Sequence, residues 1–334
     1  TLRARPVPVA DTVLSVHDLR TFFRTDDGIV RAVDGVSFSV RRGETLGIVG
    51  ESGSGKSVAC LSALGLVPRP PAFHPSGEVR YGGRDLLALS ERELEHLRGN
   101  RLAMIFQDPL TSLNPYLRVS RQLTEVLEVH RGASRAEARR AAMTMLERVG
   151  IPDPARRIDQ YPHQFSGGTR QRVMIAMALL CEPEVLFADE PTTALDVTIQ
   201  AQILELIAEL RHSLGTAVVL ITHDLGVVAG STDRVAVMYA GRIVETGPTA
   251  AVFAHPQHPY TRGLLASTPR IDTPLGSRLE AIPGLPPDLA HLPAGCPFHP
   301  RCSQAVDRCR TEYPAVIALS MVHSAACWAV EAPQ

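Results

Sequence analysis

The chain has 334 residues, 45% apolar and 21% charged, which allows two or three domain-sized units with buried cores and excludes gross disorder. A net charge of −1 leaves no electrostatic footprint for nucleic acid. No apolar run approaches the roughly 20 residues that span a bilayer; no signal-peptide pattern is visible, and the opening Thr1 leaves a trimmed N-terminus open.

In chain order, residues 12–50 alternate short β-rich runs with turn signals and end in Thr45-Leu46-Gly47-Ile48-Val49-Gly50, a buried strand entering a glycine loop. Glu78–Tyr81 and Arg84–Leu86 flank Gly82-Gly83 as a hairpin. Leu102–Phe106 reads as a short buried strand. Residues 119–150 are helical by pattern, with Ser134 and Glu137 spaced as a capping box and Gly150 and Pro152 as stop signals. Val185–Ala188 and Val218–Ile221 read as further buried strands, with a helix from about Val197 to Leu214 between them. Val235–Tyr239 and Arg242–Glu245 flank Ala240-Gly241 as a second hairpin. Near residue 250 the composition shifts toward proline, histidine and cysteine, which places a domain boundary there. No internal repeat is present, so the chain holds one nucleotide-binding unit.

Lys56 is the only lysine; the other 33 of the 34 Lys+Arg residues are arginine. It sits in Gly50-Glu51-Ser52-Gly53-Ser54-Gly55-Lys56-Ser57, a full match to G-x-x-x-x-G-K-[ST]. Such a loop points consecutive N–H groups inward at a helix start, where the glycines admit phosphate and the helix dipole favours it. A compact ammonium fits between two phosphates where a planar guanidinium does not. Ser57 would place its hydroxyl on Mg²⁺. A nucleotide hydrolase also needs an acid at the end of a buried strand. Val185-Leu186-Phe187-Ala188-Asp189-Glu190 provides one, with Asp189 toward Mg²⁺ and Glu190 as general base for the attacking water.

Over residues 12–250 the chain resembles the ATP-binding cassette family, carried by those two motifs and by four others. Phe165-Ser166-Gly167-Gly168-Thr169-Arg170-Gln171-Arg172 is similar to the family's signature motif, with Thr169 where methionine or glutamine is expected. Gln107, Ala194-Leu195-Asp196 and His223 stand at the positions of the family's Q-, D- and H-loops. The resemblance implies an α/β fold: a P-loop cassette over 1–250 with a mixed β core, an antiparallel β subdomain and a helical subdomain at about 108–165. Ser166-Gly167-Gly168 opens a second apolar helix and so offers a second anion-binding terminus, which suits a nucleotide held against another chain. His223 would contact the γ-phosphate, Gln107 would sense Mg²⁺ and water, and Asp196 would face the nucleotide. Phe23 would stack on adenine, with Phe22 as its rival.

The wording of Ile105–Pro115 and Ala188–Gln202, with His258-Pro259-Tyr260-Thr261 and Gly295-Cys296-Pro297-Phe298-His299-Pro300-Arg301-Cys302, resembles the oligopeptide/dipeptide importer ATPases. Arg172–Leu180 looks like the D-type subunit. That resemblance implies residues 251–334 as a small Cys/Pro-rich extension and cargo of di- or oligopeptides. It also implies a second, F-type ATPase subunit, two transmembrane permeases and an extracytoplasmic peptide-binding protein, with no nucleic acid. The chain would lie peripherally on the cytoplasmic face of the inner membrane. A permease coupling helix would enter a groove near Asp108–Tyr116 and Gln160–His163. The competing reading is a soluble cassette ATPase of DNA repair or translation, whose second cassette or long insertion is not seen.

Cys60 and Cys181 stand alone in apolar stretches and read as buried small side chains. Cys296, Cys302, Cys309 and Cys327 are spaced C-x₅-C-x₆-C-x₁₇-C, without the C-x₂-C pair of a zinc ribbon. A tail with little core of its own suggests a metal staple, while unligated thiols and disulfides stay open. The importer resemblance turns that choice toward a [4Fe–4S] cluster on these four cysteines, with Zn²⁺ as the alternative.

Overall fold

The structure, a computed structural model, describes residues 12–108, 112–193, 195–268 and 281–330. In chain order its strands are β1 (Thr12–Thr25), β2 (Gly28–Arg41), β3 (Thr45–Val49), β4 (Ala72–Phe73), β5 (Glu78–Tyr81), β6 (Arg84–Asp85) and β7 (Leu102–Ile105). β8 (Val185–Asp189), β9 (Ala217–Thr222), β10 (Arg234–Tyr239), β11 (Arg242–Pro248), β12 (Ile317–Ala318) and β13 (Ser324–Ala325) follow. The chain forms two compact units. One takes residues up to 40, 45–87 and 222 onward, and the other takes 41–44 and 88–221.

In the first unit an antiparallel sheet runs β2-β1-β5-β6, with β4 also paired to β1. A second set of strands runs β12-β13-β11-β10-β3. Here β3 is parallel to β10, with Val49 opposite Val237, and β10 turns back into β11 at Ala240-Gly241. Every residue of β3 is buried, as a parallel strand covered on both faces requires. The helix Lys56–Ala63 starts directly after the glycine loop. The C-terminal segment belongs to this same unit. β13 pairs antiparallel with β11, and Phe298 joins Val49, Val237, Tyr239 and Tyr260 in one hydrophobic cluster.

The second unit carries the parallel strands β9-β8-β7. Its helices are Glu91–Leu97, Val119–Arg131, Arg135–Arg148, Pro154–Arg157, Gly167–Leu179 and Val197–Leu214. The pair 119–131 and 135–148 is punctuated by Gly132, which is left-handed at the first helix's C-terminus. The expected capping box is present: Ser134 N–H donates to Glu137 Oε2 at 2.9 Å, and Glu137 N–H donates back to Ser134 Oγ at 3.4 Å.

Candidate nucleotide-binding site

The glycine loop is shaped by two close approaches. A Cβ at Gly50 would lie 2.1 Å from the Met238 carbonyl oxygen, and one at Gly55 would lie 2.1 Å from that of Ala32. Gly55 also has φ of 99°, in the left-handed region that side chains avoid. Lys56 is buried, and its Nζ donates to the carbonyls of Gly50 at 2.8 Å and Glu51 at 2.9 Å. The ammonium is thus folded back over the loop. Ser52 and Gly53 are exposed at the tip, and Ser57 is half-buried one residue into the helix. Ser54 is buried, and its Oγ has no hydrogen-bond partner among the described residues. A buried hydroxyl left unpaired is costly, and a phosphate oxygen in the cradle would satisfy it.

On β1, Phe22 and Phe23 alternate faces and are both half-buried. Phe22 is engaged edge-on by Phe73, with ring centroids 5.9 Å apart, and by the Arg31 guanidinium at 5.8 Å. Phe23 has no ring or cation contact among the described residues. His223 is exposed in the turn after β9, where Asp224 caps the next helix through the N–H groups of Gly226 and Val227.

In the second unit β8 is buried throughout and ends at Asp189, which is 5% exposed. Glu190 follows with φ of 44°, a left-handed conformation unusual for a residue with a side chain, and its N–H donates to the Ile221 carbonyl at 2.9 Å. Its Oε2 accepts from Gln107 Nε2 at 3.0 Å and from Thr193 Oγ1 at 2.8 Å. Gln107 and Glu190, expected as one catalytic group, are therefore in contact. Thr193 was not singled out by sequence. A hydroxyl three residues after the acid, in a turn closed by Thr193 N–H onto the Glu190 carbonyl, is the signal that could have found it.

Ser166 is the exposed N-cap of the helix Gly167–Leu179, and its Oγ lies 2.9 Å from Thr169 Oγ1. The departure from the family pattern at Thr169 thus gives the signature serine a hydroxyl partner. No atom would crowd a Cβ at Gly167, whereas one at Gly168 would lie 3.0 Å from Ile199 Cγ2. Asp196 caps the helix Val197–Leu214, accepting from Ile199 N–H at 3.0 Å. Ala194 of the D-loop and residues Pro109, Leu110 and Thr111 of the expected groove lie outside the described residues. Of the rest of that groove, Tyr116 is 88% exposed, and Tyr161 stacks on His163 with the Arg118 guanidinium 5.8 Å from its ring.

The iron–sulfur expectation does not hold. Cys296, Cys302, Cys309 and Cys327 line one small cavity together with Phe298 and Trp328, and all four are free thiols. Among the described residues no group of three or more His, Cys, Asp or Glu side chains is arranged to hold a metal ion, which overturns both the [4Fe–4S] cluster and the Zn²⁺ alternative. The physical reason lies in the packing. The segment shares the core of the P-loop unit: Phe298 packs on Tyr239 and Tyr260 with centroids 5.2 and 5.3 Å apart, and Cys296 and Cys302 rest against that cluster. A staple is not needed where such a core exists. Burial disfavours the thiolate at three of them, with Cys296 pushed up to about 11 and Cys302 and Cys327 also raised. Cys60 and Cys181 are buried, as expected.

Residues 33–193 match the family model described as ABC transporter, and residues 244–309 match the oligopeptide/dipeptide transporter C-terminal region. The oligopeptide transport ATP-binding protein OppD of Salmonella typhimurium is 54% identical over 305 residues, covering 91% of this chain and 90% of that protein. The chain belongs to the ABC transporter ATP-binding family. A second member of that family, the dipeptide transport ATP-binding protein DppD of Bacillus subtilis, is 53% identical over 318 residues, 95% of each chain. Among solved structures, the ATP-binding cassette MJ0796, a dimer in a post-hydrolysis state with ADP and Pi, matches with a TM-score of 0.64 at 28% identity. It covers 71% of this chain and 98% of its own. The fold is accordingly the ABC-cassette P-loop fold with mixed and antiparallel sheets, and the chain is an ATPase of that family coupled to transport. Its nucleotide is ATP, which fits the glycine cradle and the orphaned Ser54 hydroxyl.

Proposed function

We propose that this cassette is the ATP-hydrolysing motor subunit, of D type, in a binding-protein-dependent importer of di- and oligopeptides. The observation that carries the reading is the match over residues 244–309 to the oligopeptide/dipeptide transporter C-terminal region, a stretch lying beyond the cassette motifs. Peptide transport is named for relatives more than half identical over nearly the whole chain. A DNA-repair or translation ATPase finds no comparable support. Among the described residues no helix is long and apolar enough to cross a membrane. In this reading separate permease chains form the transport path, and this subunit is peripheral on the cytoplasmic face of the inner membrane. An F-type ATPase would be the partner whose P-loop faces the open Ser166–Gly168 terminus, and peptide capture would belong to an extracytoplasmic binding protein.

In this reading Gly50 to Gly55 and Lys56 hold the phosphates, and Phe23, left open by the Phe22–Phe73 contact, stacks on adenine. Ser57, Asp189 and Gln107 carry the oxygen donors a hard cation prefers and would be the residues to hold Mg²⁺, which would offset phosphate charge. Glu190, held by Gln107 and Thr193, takes the proton of the attacking water. His223 contacts the γ-phosphate, and Asp196 orders the D-loop side of the dimer through its helix cap. The test is reconstitution with the neighbouring permeases, second ATPase and binding protein. ATP turnover should be stimulated by a di- or oligopeptide with its binding protein. Stimulation by a non-peptide cargo alone would overturn the peptide assignment.

A further inference from the structure

The segment Gly295–Cys302 contains one residue that neither the nucleotide motifs nor the thiols account for. Arg301 has a side chain only 5% exposed. Its guanidinium grips Glu51 with both arms, Nη1 to Oε2 at 2.7 Å and Nη2 to Oε1 at 2.9 Å. Nε donates to the Pro283 carbonyl at 2.9 Å, Nη1 also approaches Tyr239 Oη at 3.4 Å, and the charge sits 5.9 Å from the rings of Tyr239 and Phe298. Glu51 follows Gly50 in the phosphate loop. Its peptide is fixed at both ends: its N–H donates to Tyr260 Oη at 2.8 Å, and its carbonyl accepts from Lys56 Nζ at 2.9 Å.

A carboxylate in a loop that must receive a polyanion is an electrostatic liability, because like charges repel most strongly where water is excluded. A planar guanidinium is the side chain that can cap both carboxylate oxygens at once and cannot lose its proton. The pairing with Glu51 raises the Arg301 pKa further, so the cation persists at any working pH. We propose that Arg301, together with Tyr260, is a positioning residue for ATP: the C-terminal segment reaches back 250 positions to neutralise Glu51 and hold the phosphate loop open to the nucleotide. This rests on reading the P-loop as the ATP phosphate cradle, and it gives the C-terminal segment a part in nucleotide binding.

The test is calorimetric MgATP binding to the full chain. Arg301→Gln keeps a hydrogen-bonding amide but drops the charge, and should weaken binding about tenfold by exposing the phosphates to one uncompensated carboxylate. Glu51→Gln breaks the same contact from the other side, yet should tighten binding about twofold or more, since a surplus cation then faces the anion. The double variant should return to within about twofold of the parent. A clamp that acted only by packing would weaken binding in both single variants and would not be rescued in the double; that pattern overturns the inference. If Arg301→Gln does not fold, the sign of the Glu51→Gln effect decides alone. Lys56→Ala separates the two levels: unchanged affinity there removes the P-loop reading itself, whereas weakened affinity there with none in Arg301→Gln removes only the role of Arg301.

Discussion

Replacing Glu190 by glutamine changes the chemistry of the proposed base while leaving its surroundings in place. Both donors that hold it, Thr193 Oγ1 at 2.8 Å and Gln107 Nε2 at 3.0 Å, converge on one oxygen, and the single amide oxygen of glutamine can accept from both. The geometric cost is therefore small, below the roughly 1 kcal/mol of an ordinary hydrogen bond, and MgATP affinity should stay within about fivefold. Loss of the proton acceptor is another matter. General-base catalysis contributes about 10²–10⁴ in rate, which corresponds to about 2.7–5.5 kcal/mol of barrier. Thr193→Val removes the Thr193 donor but keeps the carboxylate. A hydrogen bond to a charged group contributes about 1.5–3 kcal/mol, so loosening it should lower kcat by about tenfold with little change in KM. Phosphate release by the reconstituted transporter reports turnover, and calorimetry on the same variants reports binding. Turnover within about threefold of the parent in Glu190→Gln would remove Glu190 as the base. Equal losses of binding and turnover would reassign it to holding the nucleotide.

Three further outcomes follow from the same contacts. Ser54→Ala deletes a buried hydroxyl that lacks a partner, so the nucleotide-free protein should melt at the same temperature or slightly higher, while MgATP affinity drops by about 1 kcal/mol; a clear loss of stability without nucleotide would contradict the orphaned-hydroxyl reading. His258 is buried, accepts from Tyr260 N–H at 3.0 Å through Nδ1, and is held neutral by burial, its pKa lowered from 6.5 to about 3. Because the folded pKa lies below the unfolded one, its contribution is complete above pH 6.5 and is lost as pH falls toward about 3. The stability advantage of the parent over His258→Asn, whose side-chain oxygen can mimic the Nδ1 acceptor, should shrink across that window in thermal melts; a constant or widening gap would refute the assignment. Phe298 is 3% exposed between Tyr239 and Tyr260, so Phe298→Ala should cost about 3–5 kcal/mol in urea unfolding, and a cost below about 1 kcal/mol would mean that the segment does not share that core.

What the sequence determined by itself is local and backbone-driven. A phosphate-loop glycine pattern, an apolar strand before it, a strand ending in Asp189-Glu190, and a capping box at Ser134 and Glu137 are each written in contiguous residues. The helix Val197–Leu214 was legible for the same reason, and the structure caps it with Asp196 and Gly215. Local propensity and hydrogen bonding within one turn decide such features, and they do not wait for the rest of the chain.

Tertiary structure alone decided which distant groups meet. Arg301 reaches Glu51, and β13 pairs with β11 across roughly 80 positions, neither of which has a sequence period or motif to announce it. Thr193 meets the Glu190 carboxylate where Glu190 takes a left-handed conformation, which no sequence pattern announced. The cysteines show the reverse error. Their crowding in the sequence suggested ligands for a tail without a core, but Phe298 and the strand β13 embed that tail in the P-loop unit, and burial favours neutral thiols over the thiolates a metal requires. Spacing along a chain fixes which groups can be neighbours in one turn; solvent exclusion by residues from other parts of the fold fixes their charge and therefore their chemistry.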